Sequence, residues 1–544
     1  MRGAREVDTL SKTSSQTPSI PTVVTETLGG AALSRAGRRG ELSAWYRPVP
    51  SDREAWIAYA REVSGSVAPT WLDQLRPAMS AAGLAAARLE RVRAGNGIVI
   101  TTGQQPGLFG GPLMTLVKAL SARALADVLE ADLGIPVAPV FWAATDDADF
   151  DEAAVVSIVG IAGVEELRIM RAAPTGTPMA KVPIGADVAT LAERLRDACG
   201  SVAHPAVLDI ALREYRAGAT VGGSYVALLR AVLEPLGMAV LDASHPAVTD
   251  AGKACLRRAV ERAERVASAL GARGEAIRAA GFTPQVEEVK GLSLVFANEP
   301  GGKRRLSLTE CAGGGGDTPL SATVLLRPVL ERSILPTAAY VAGPGEFAYF
   351  AQVSAVADAL SVPTPMVVPR WSATIVEPRV QRLLNDFGVP ADAVSDPAAL
   401  EGRVARELVP ENLASALGGL RDGIAACTDR MARANDGLVA DAVIEGVRRS
   451  MLHRLERAER RFLAAVKRRE TDAMRRVAVL RGSLFPYGAP QERALSYVPF
   501  LARYGQELID EMVMQAETHA RGIIGGVQAT ATPHAAVPAV PARR

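Results

Sequence analysis

Cysteine and histidine are scarce in this 544-residue chain, which has four of the first and five of the second. Cys199, Cys255, Cys311 and Cys427 stand far apart, so their spacing offers neither a disulfide framework nor a metal-ligand set, and all four read as ordinary thiols. No two histidines are neighbours, which argues against a histidine-built metal site; no metal is expected. An excess of one charge is also missing. Against 61 Lys and Arg stand 59 Asp and Glu, and a net +2 makes no case for a nucleic-acid binder. No apolar run reaches bilayer-spanning length, and the opening MRGAREVDTLSKTSSQTPS lacks an apolar signal segment. The expectation is a soluble, cytoplasmic protein with no membrane partner. What the chain does have is 48% hydrophobic residues and a length suited to two to four domains with a sizeable core.

The stretch Gly97 to Asp151 organises the rest. A β-branched run, Ile98–Thr102, breaks at Gly103 into a loop holding Gly107, Gly110 and Gly111. Pro112 suits the first position of a helix, and Leu113, Leu116, Val117, Leu120, Leu125 and Leu129 follow helical spacing. Gly134-Ile135-Pro136 stops that helix, and Val137–Ala143 reads as a second buried strand with Asp146, Asp147, Asp149, Asp151 and Glu152 just beyond it. In open α/β sheets, ligands sit at the carboxyl ends of such strands. The loop matches neither the dinucleotide fingerprint G-x-G-x-x-G nor the P-loop. A glycine loop alone is as often a tight turn; the adjacent amides Gln104-Gln105 supply donors and acceptors that a turn does not need.

Taken in order, residues 1–40 read as a disordered tail rich in Ser, Thr, Gly and Arg, and helical patterns dominate from Leu42 to Ala94. After the central unit, residues 154–186 read as short strands and turns, and Leu191–Ala217 as helical. Tyr225–Leu236 reads as a helix that Gly237 stops before the strand Met238–Asp242, a second α/β unit. Ala251–Ala280 reads as one long helix, and Phe282–Leu308 as a hairpin around Gly301-Gly302. Two further strands, about Thr337–Val341 and Met366–Val368, flank a helix beginning near Glu346, with Gly343-Pro344-Gly345 ahead of it. Arg327, Glu331, Glu346 and Arg370 are charges set among apolar, Pro and Gly residues at strand ends, a placement that favours a ligand pocket over a solvated surface. From 395 to 480 the character changes. Val447, Met451, Leu455, Ala458, Phe462, Val466, Ala473, Val477 and Leu480 step by three or four, an Ala-rich seam of coiled-coil type. Leu484–Ile509 reads as a turn and a helix, and residues 526–544 as a Pro/Ala tail.

Four blocks together resemble the BshC family of bacillithiol biosynthesis: TTGQQPGLFGGP with its following VKA, FWAATDDADFDE, VLLRPVLERSILPTAAYVAGPGEFAYF with MVVPR, and LFPYGAPQER. LREYRAGAT and GFTPQV fit as well, and the likeness runs from about Trp45 to Met514. The resemblance implies an α/β fold: a Rossmann-like core, similar to class I aminoacyl-tRNA synthetases, over 41–394. Insertions at about 163–222 and 281–322, a coiled coil over 395–480 and a segment 481–525 returning to the core would complete it. It implies a homodimer through the coiled coil and ligation of cysteine to the amino group of glucosaminyl-malate, the last step of bacillithiol synthesis. Carried over residue by residue, the substrate pocket would draw on Gln104, Gln105, Gly107, Asp146, Asp149, Arg327, Glu346, Tyr349 and Arg370. Where the family's acidic block usually carries a histidine this chain has Ala148, which removes a proton carrier there. No catalytic residue is assigned.

Joining a carboxylate to an amine requires an activated acyl group, because hydroxide leaves poorly. ATP or another activating nucleotide would supply one, its charge supported by cations or N–H groups. The two glycine-bearing helix starts are the candidates for those N–H groups, and Arg327 or Arg370 could grip a malate carboxylate bidentately. Asp146, Asp149 or Glu346 could bind the cysteine ammonium or sugar hydroxyls. A structural role weighs about as much: the aspartates could cap a helix, and Arg370 could pair with a buried acid. Two other readings compete. One is another Rossmann-like nucleotidyl- or amino-sugar-modifying enzyme; the other is a non-catalytic small-molecule binder with a coiled-coil arm.

Overall fold

The computed structural model describes residues 20–79, 81–300 and 302–525. The apolar run after Gly97 forms strand β1 (Ile98–Gln104), and Val137–Ala143 forms β2 over the expected residues. Three more strands complete the central sheet: β3 (Ala239–Asp242), β4 (Thr337–Ala342) and β5 (Val367–Pro369). All pair in parallel, in the order β5-β4-β1-β2-β3. Parallel strands covered on both faces read as continuous apolar runs rather than alternating ones. β1 and β2 obey this: every residue of the two but Gln104 is buried.

The chain leaves β1 toward β2 and β3, then returns to the other side for β4 and β5. The order reverses between β1 and β4, and the crevice at their carboxyl ends is the topological switch point of this Rossmann-like sheet. Helix α1 (Leu113–Leu133) packs on β1 and β2 and ends at Gly134, whose φ of 72° suits the left-handed cap. Pro112 stands one residue before the helix, at the N-cap with extended ψ of 163°, rather than at its first position. On one face Trp71, Leu72, Leu75 and Leu89 pack against Val99, Val140, Trp142 and Leu241. Helices α2 (Arg327–Ile334) and α3 (Pro344–Leu360) bracket β4.

Several expected elements are shorter or divided. Residues 191–217 form two helices, Val188–Cys199 and Ala206–Glu214, because Gly200 at φ 60° and Pro205 interrupt the pattern. The long helix divides at Arg262 into Pro246–Glu261 and Ala263–Ala279. Residues 20–40 are not a tail: Thr22–Thr25 is a strand and Ala32–Arg38 a helix, with Leu33 packed against Ile277, Ala348 and Ala351. The tail expected for 1–19 and 526–544 lies outside the described residues. The hairpin strands Leu292–Glu299 and Gly302–Ser307 are joined by Leu320–Ala322 in a three-stranded sheet.

Residues 376–488 form a separate compact unit, wholly helical apart from its connections. Within it α4 (Glu411–Arg433) and α5 (Asp441–Arg469) pair. Arg421 binds Glu459 at 2.8 Å while Arg448 binds Thr428 at 2.9 Å, so residue numbers run in opposite directions and the pair is an antiparallel hairpin. Ile424, Thr428, Ile444, Leu455 and Val466 are buried in this unit. The last helix, α6 (Val498–Ile524), lies along α1 in the α/β unit. Among the described residues no helix is long and apolar enough to cross a membrane.

Candidate active site

At the end of β1 the chain turns through the glycine loop. Gly107 touches Gly111 so closely that a Cβ there would lie 2.6 Å from its Cα, and Gly110, at φ +85°, faces the Tyr497 hydroxyl. Tyr215 pins the loop: its hydroxyl donates to the Gly107 carbonyl at 2.7 Å and accepts from the Gly110 N–H at 2.9 Å. The Gly111 N–H is taken by Leu108, that of Leu113 by Leu495 and that of Thr115 by Pro112. The Gly110, Gly111, Leu113 and Thr115 N–H groups, among those expected to cradle an anion at the start of α1, are therefore bonded within the protein.

The polar centre lies beside it, at the switch point. Lys118, on α1, is fully buried, and its ammonium donates to Gln104 Oε1 at 3.1 Å, to Glu346 Oε2 at 2.6 Å and to the Gly103 carbonyl. Glu346 lies in the first turn of α3. Its Oε2 also accepts the Gly343 N–H at 2.8 Å, and its Oε1 accepts the Tyr340 hydroxyl at 2.6 Å. Arg327, at the start of α2, donates to Tyr349 at 3.0 Å and to Tyr340 at 3.3 Å, and lies over the Tyr340 ring. Glu331, one turn further on, accepts the Thr101 hydroxyl. The result is a continuous polar chain from β1 through α1, α3 and β4 to α2.

Burial sets the electrostatics. It pulls Lys118 below the usual lysine range, against the attraction of Glu346. It pushes the Glu346 carboxyl up, but the Lys118 charge and the Lys118 and Tyr340 hydrogen bonds outweigh it and hold the group below the usual range. Glu331 goes the other way: burial raises it to about 7 despite the nearby Arg327 charge.

The expected site residues therefore divide. Gln104, Glu346, Arg327 and Tyr349 join one network. Gln105 lies at its edge and donates to Asp147 at 2.6 Å, while Gly107 shapes the loop. Asp146 meets Lys303 of the hairpin insertion at 2.8 Å. Asp149 caps the short helix Phe150–Ala153, accepting the Glu152 N–H at 3.2 Å. Arg370 is committed to an internal ion pair: it binds Glu492 at 2.9 Å and the Trp371 carbonyl at 2.7 Å, with both charged side chains buried. Lys118, Tyr340 and Thr101 were missed by sequence reasoning. Lys118 had a signal, as the one charge in the apolar first half of its helix, between Val117 and Ala119. Among the described residues no cluster of three or more His, Cys, Asp or Glu is placed to hold a metal.

Two family models cover nearly the whole described chain. "Bacillithiol biosynthesis BshC, N-terminal Rossmann-like domain" matches residues 44–312 and 317–371, and "Bacillithiol biosynthesis BshC, C-terminal coiled-coil domain" matches 373–522. Among similar proteins named "Putative cysteine ligase BshC", that of Koribacter versatilis is 32% identical over 472 residues, 82% of this chain and 87% of its own. That of Solibacter usitatus is 33% identical over 447 residues (77% and 82%), and that of Geobacillus kaustophilus 30% identical over 470 (78% and 84%).

Proposed function

This chain belongs to the BshC family of bacillithiol biosynthesis, and on that premise we propose that it is a cytoplasmic ligase joining cysteine to the amino group of glucosaminyl-malate. The bond formed is an amide and the step is the last of the pathway. The observation that carries this reading is the charged, hydrogen-bonded cluster of side chains at the carboxyl ends of β1 and β4. Arg327 is the group for a malate carboxylate, since its Nη1 has no hydrogen-bond partner among the described residues and its plane is already fixed by Tyr340 and Tyr349. Glu346, with its side chain 21% exposed, offers negative charge to the cysteine ammonium. Gln104, Gln105 and Asp146 border the crevice as partners for sugar hydroxyls. Asp149 and Arg370 act as struts, the first on the acidic loop and the second on the segment around Glu492.

Holding amine and acyl carbon in contact supplies much of the rate in such a reaction, because it removes the entropy of their encounter. Since the Gly110, Gly111, Leu113 and Thr115 N–H groups are already bonded within the protein, activation of the cysteine carboxyl is not assigned to a nucleotide held there. A second copy of the chain is the partner in this reading. Val447, Met451 and Phe462, exposed at 37%, 48% and 41%, provide the apolar surface on the α4–α5 hairpin for a homodimer.

The test is a mass-spectrometric assay with glucosaminyl-malate and cysteine, with and without nucleotides. Bacillithiol is expected from the native chain. Arg327→Ala and Gln104→Ala should lower turnover about tenfold or more, the size of one or two lost hydrogen bonds to a charged group. No product in any mixture would refute the ligase reading.

A further inference from the structure

Glu331 lies between Thr101 and Arg327 but has no task in the reading above. It is 1% exposed. Its Oε1 accepts the Thr101 hydroxyl, whereas its Oε2 has no hydrogen-bond partner among the described residues. Arg327, one helical turn earlier, places Nη1 3.6 Å from that Oε2, and this nitrogen is also without a hydrogen bond there. Ionised pairs that bond directly approach to about 2.7–2.9 Å. Carboxyl and guanidinium are thus neighbours that have not closed on each other, each with one unused edge.

We infer that Glu331 is the internal counter-ion of Arg327, and that a substrate carboxylate binding to Arg327 replaces it while Glu331 takes up one proton. Glu331 is then a positioning residue that makes anion binding proton-linked; the inference rests on Arg327 being the carboxylate holder. The balance is simple. The carboxylate arrives, a proton from solvent bonds to Glu331 Oε2, and the net charge of the crevice is unchanged.

The surroundings support this. With Glu331 neutral, Lys118 and Arg327 against Glu346 leave one positive charge, matched to one carboxylate. With Glu331 ionised the cluster is already neutral, and a second carboxylate beside it in a buried site is disfavoured. The charged and titratable groups facing Glu331 are Arg327 from its own helix, Lys118 from α1, Glu346 from α3 and, more distantly, the tyrosines Tyr340 of β4 and Tyr349 of α3; Thr101 of β1 contributes a hydroxyl. Cys255, on the helix Pro246–Glu261 that also packs on α2, meets Ser333. Burial already brings the Glu331 carboxyl to about 7, so its proton is exchangeable near neutrality.

The experiment is isothermal titration calorimetry of the full chain with glucosaminyl-malate, at several pH values and in buffers of different ionisation enthalpy. Binding should be nearly independent of Glu331 at pH 6. Above pH 7, wild type should weaken by up to tenfold per pH unit relative to Glu331→Gln, and should take up close to one proton more than that variant at pH 8. Glu331→Asp, which keeps a carboxyl, should restore the uptake. Proton uptake equal in wild type and Glu331→Gln overturns the inference; if Arg327→Gln still abolishes binding, the reading of Arg327 survives. The wild type's own affinity profile and buffer dependence supply the same test should the glutamine variant fail to fold: a flat profile with buffer-independent enthalpy overturns the inference. Failure of wild type to bind glucosaminyl-malate overturns both.

Discussion

Replacing Arg370 with leucine should destabilise the α/β unit without touching the crevice's own hydrogen bonds. Arg370 is 1% and Glu492 4% exposed, and the pair is bidentate. Glu492 also accepts the Ser372 hydroxyl at 3.0 Å and the Ala373 N–H at 3.3 Å. Removing one member of a buried pair strands the other charge, at a cost of about 3–5 kcal/mol. The two surviving hydrogen bonds to Glu492 put the expected loss near the lower figure, about 3 kcal/mol. Substituting both members with leucine removes the stranded charge, so the double variant should recover most of that loss. All five tryptophans, Trp45, Trp56, Trp71, Trp142 and Trp371, lie in this unit, so tryptophan fluorescence during denaturant unfolding reports on it alone. A loss under about 1 kcal/mol for Arg370→Leu, or a double variant no more stable than the single one, would refute the strut assignment.

Three further outcomes are expected. Gly110→Ala should cost about 2–4 kcal/mol of stability in the same unfolding measurement, since the new Cβ would lie 2.1 Å from the Tyr497 hydroxyl at a φ of +85°; a loss within error would show that the loop relaxes freely. Met451→Asp with Phe462→Asp should give monomers in sedimentation, whereas Leu455, 5% exposed, already serves its own unit and is the poorer probe; an unchanged dimer would remove this face from the interface. Because Glu331 is raised on folding from the ordinary 4.5 to about 7, the folded state binds the extra proton between those values. Its stabilising contribution is complete below about pH 4.5 and fades as pH rises through 7, so wild type should lose up to roughly 3 kcal/mol relative to Glu331→Gln between pH 5 and 8. Parallel stability curves would contradict that sign.

The sheet was legible where the physics is local. β1 announces itself as a β-branched run and β2 as an apolar one, and Gly134 and Gly237 mark helix stops through the left-handed conformation both adopt. The break at Arg262 carries no glycine or proline beside it, so an Ala/Arg/Glu pattern reads straight through. The strand at Thr22–Thr25 was hidden because its pairing partner, Ala373–Val376, lies some 350 residues on. The site shows the same division. Gln104, Arg327 and Glu346 could be picked out as polar groups at strand ends, but Lys118 meets Glu346 across 228 positions and Arg370 meets Glu492 across 122. Periodicity cannot report such pairings; only the folded sheet brings them together.

In the function proposed above, a single site between the carboxyl ends of β1 and β4 receives the substrate. A crystal structure of the chain with glucosaminyl-malate tests it most directly. A malate carboxylate should lie within hydrogen-bonding distance of the Arg327 guanidinium, with the sugar beside Gln104. Clear density for the ligand elsewhere, with Arg327 still bound only to Tyr340 and Tyr349, would contradict it.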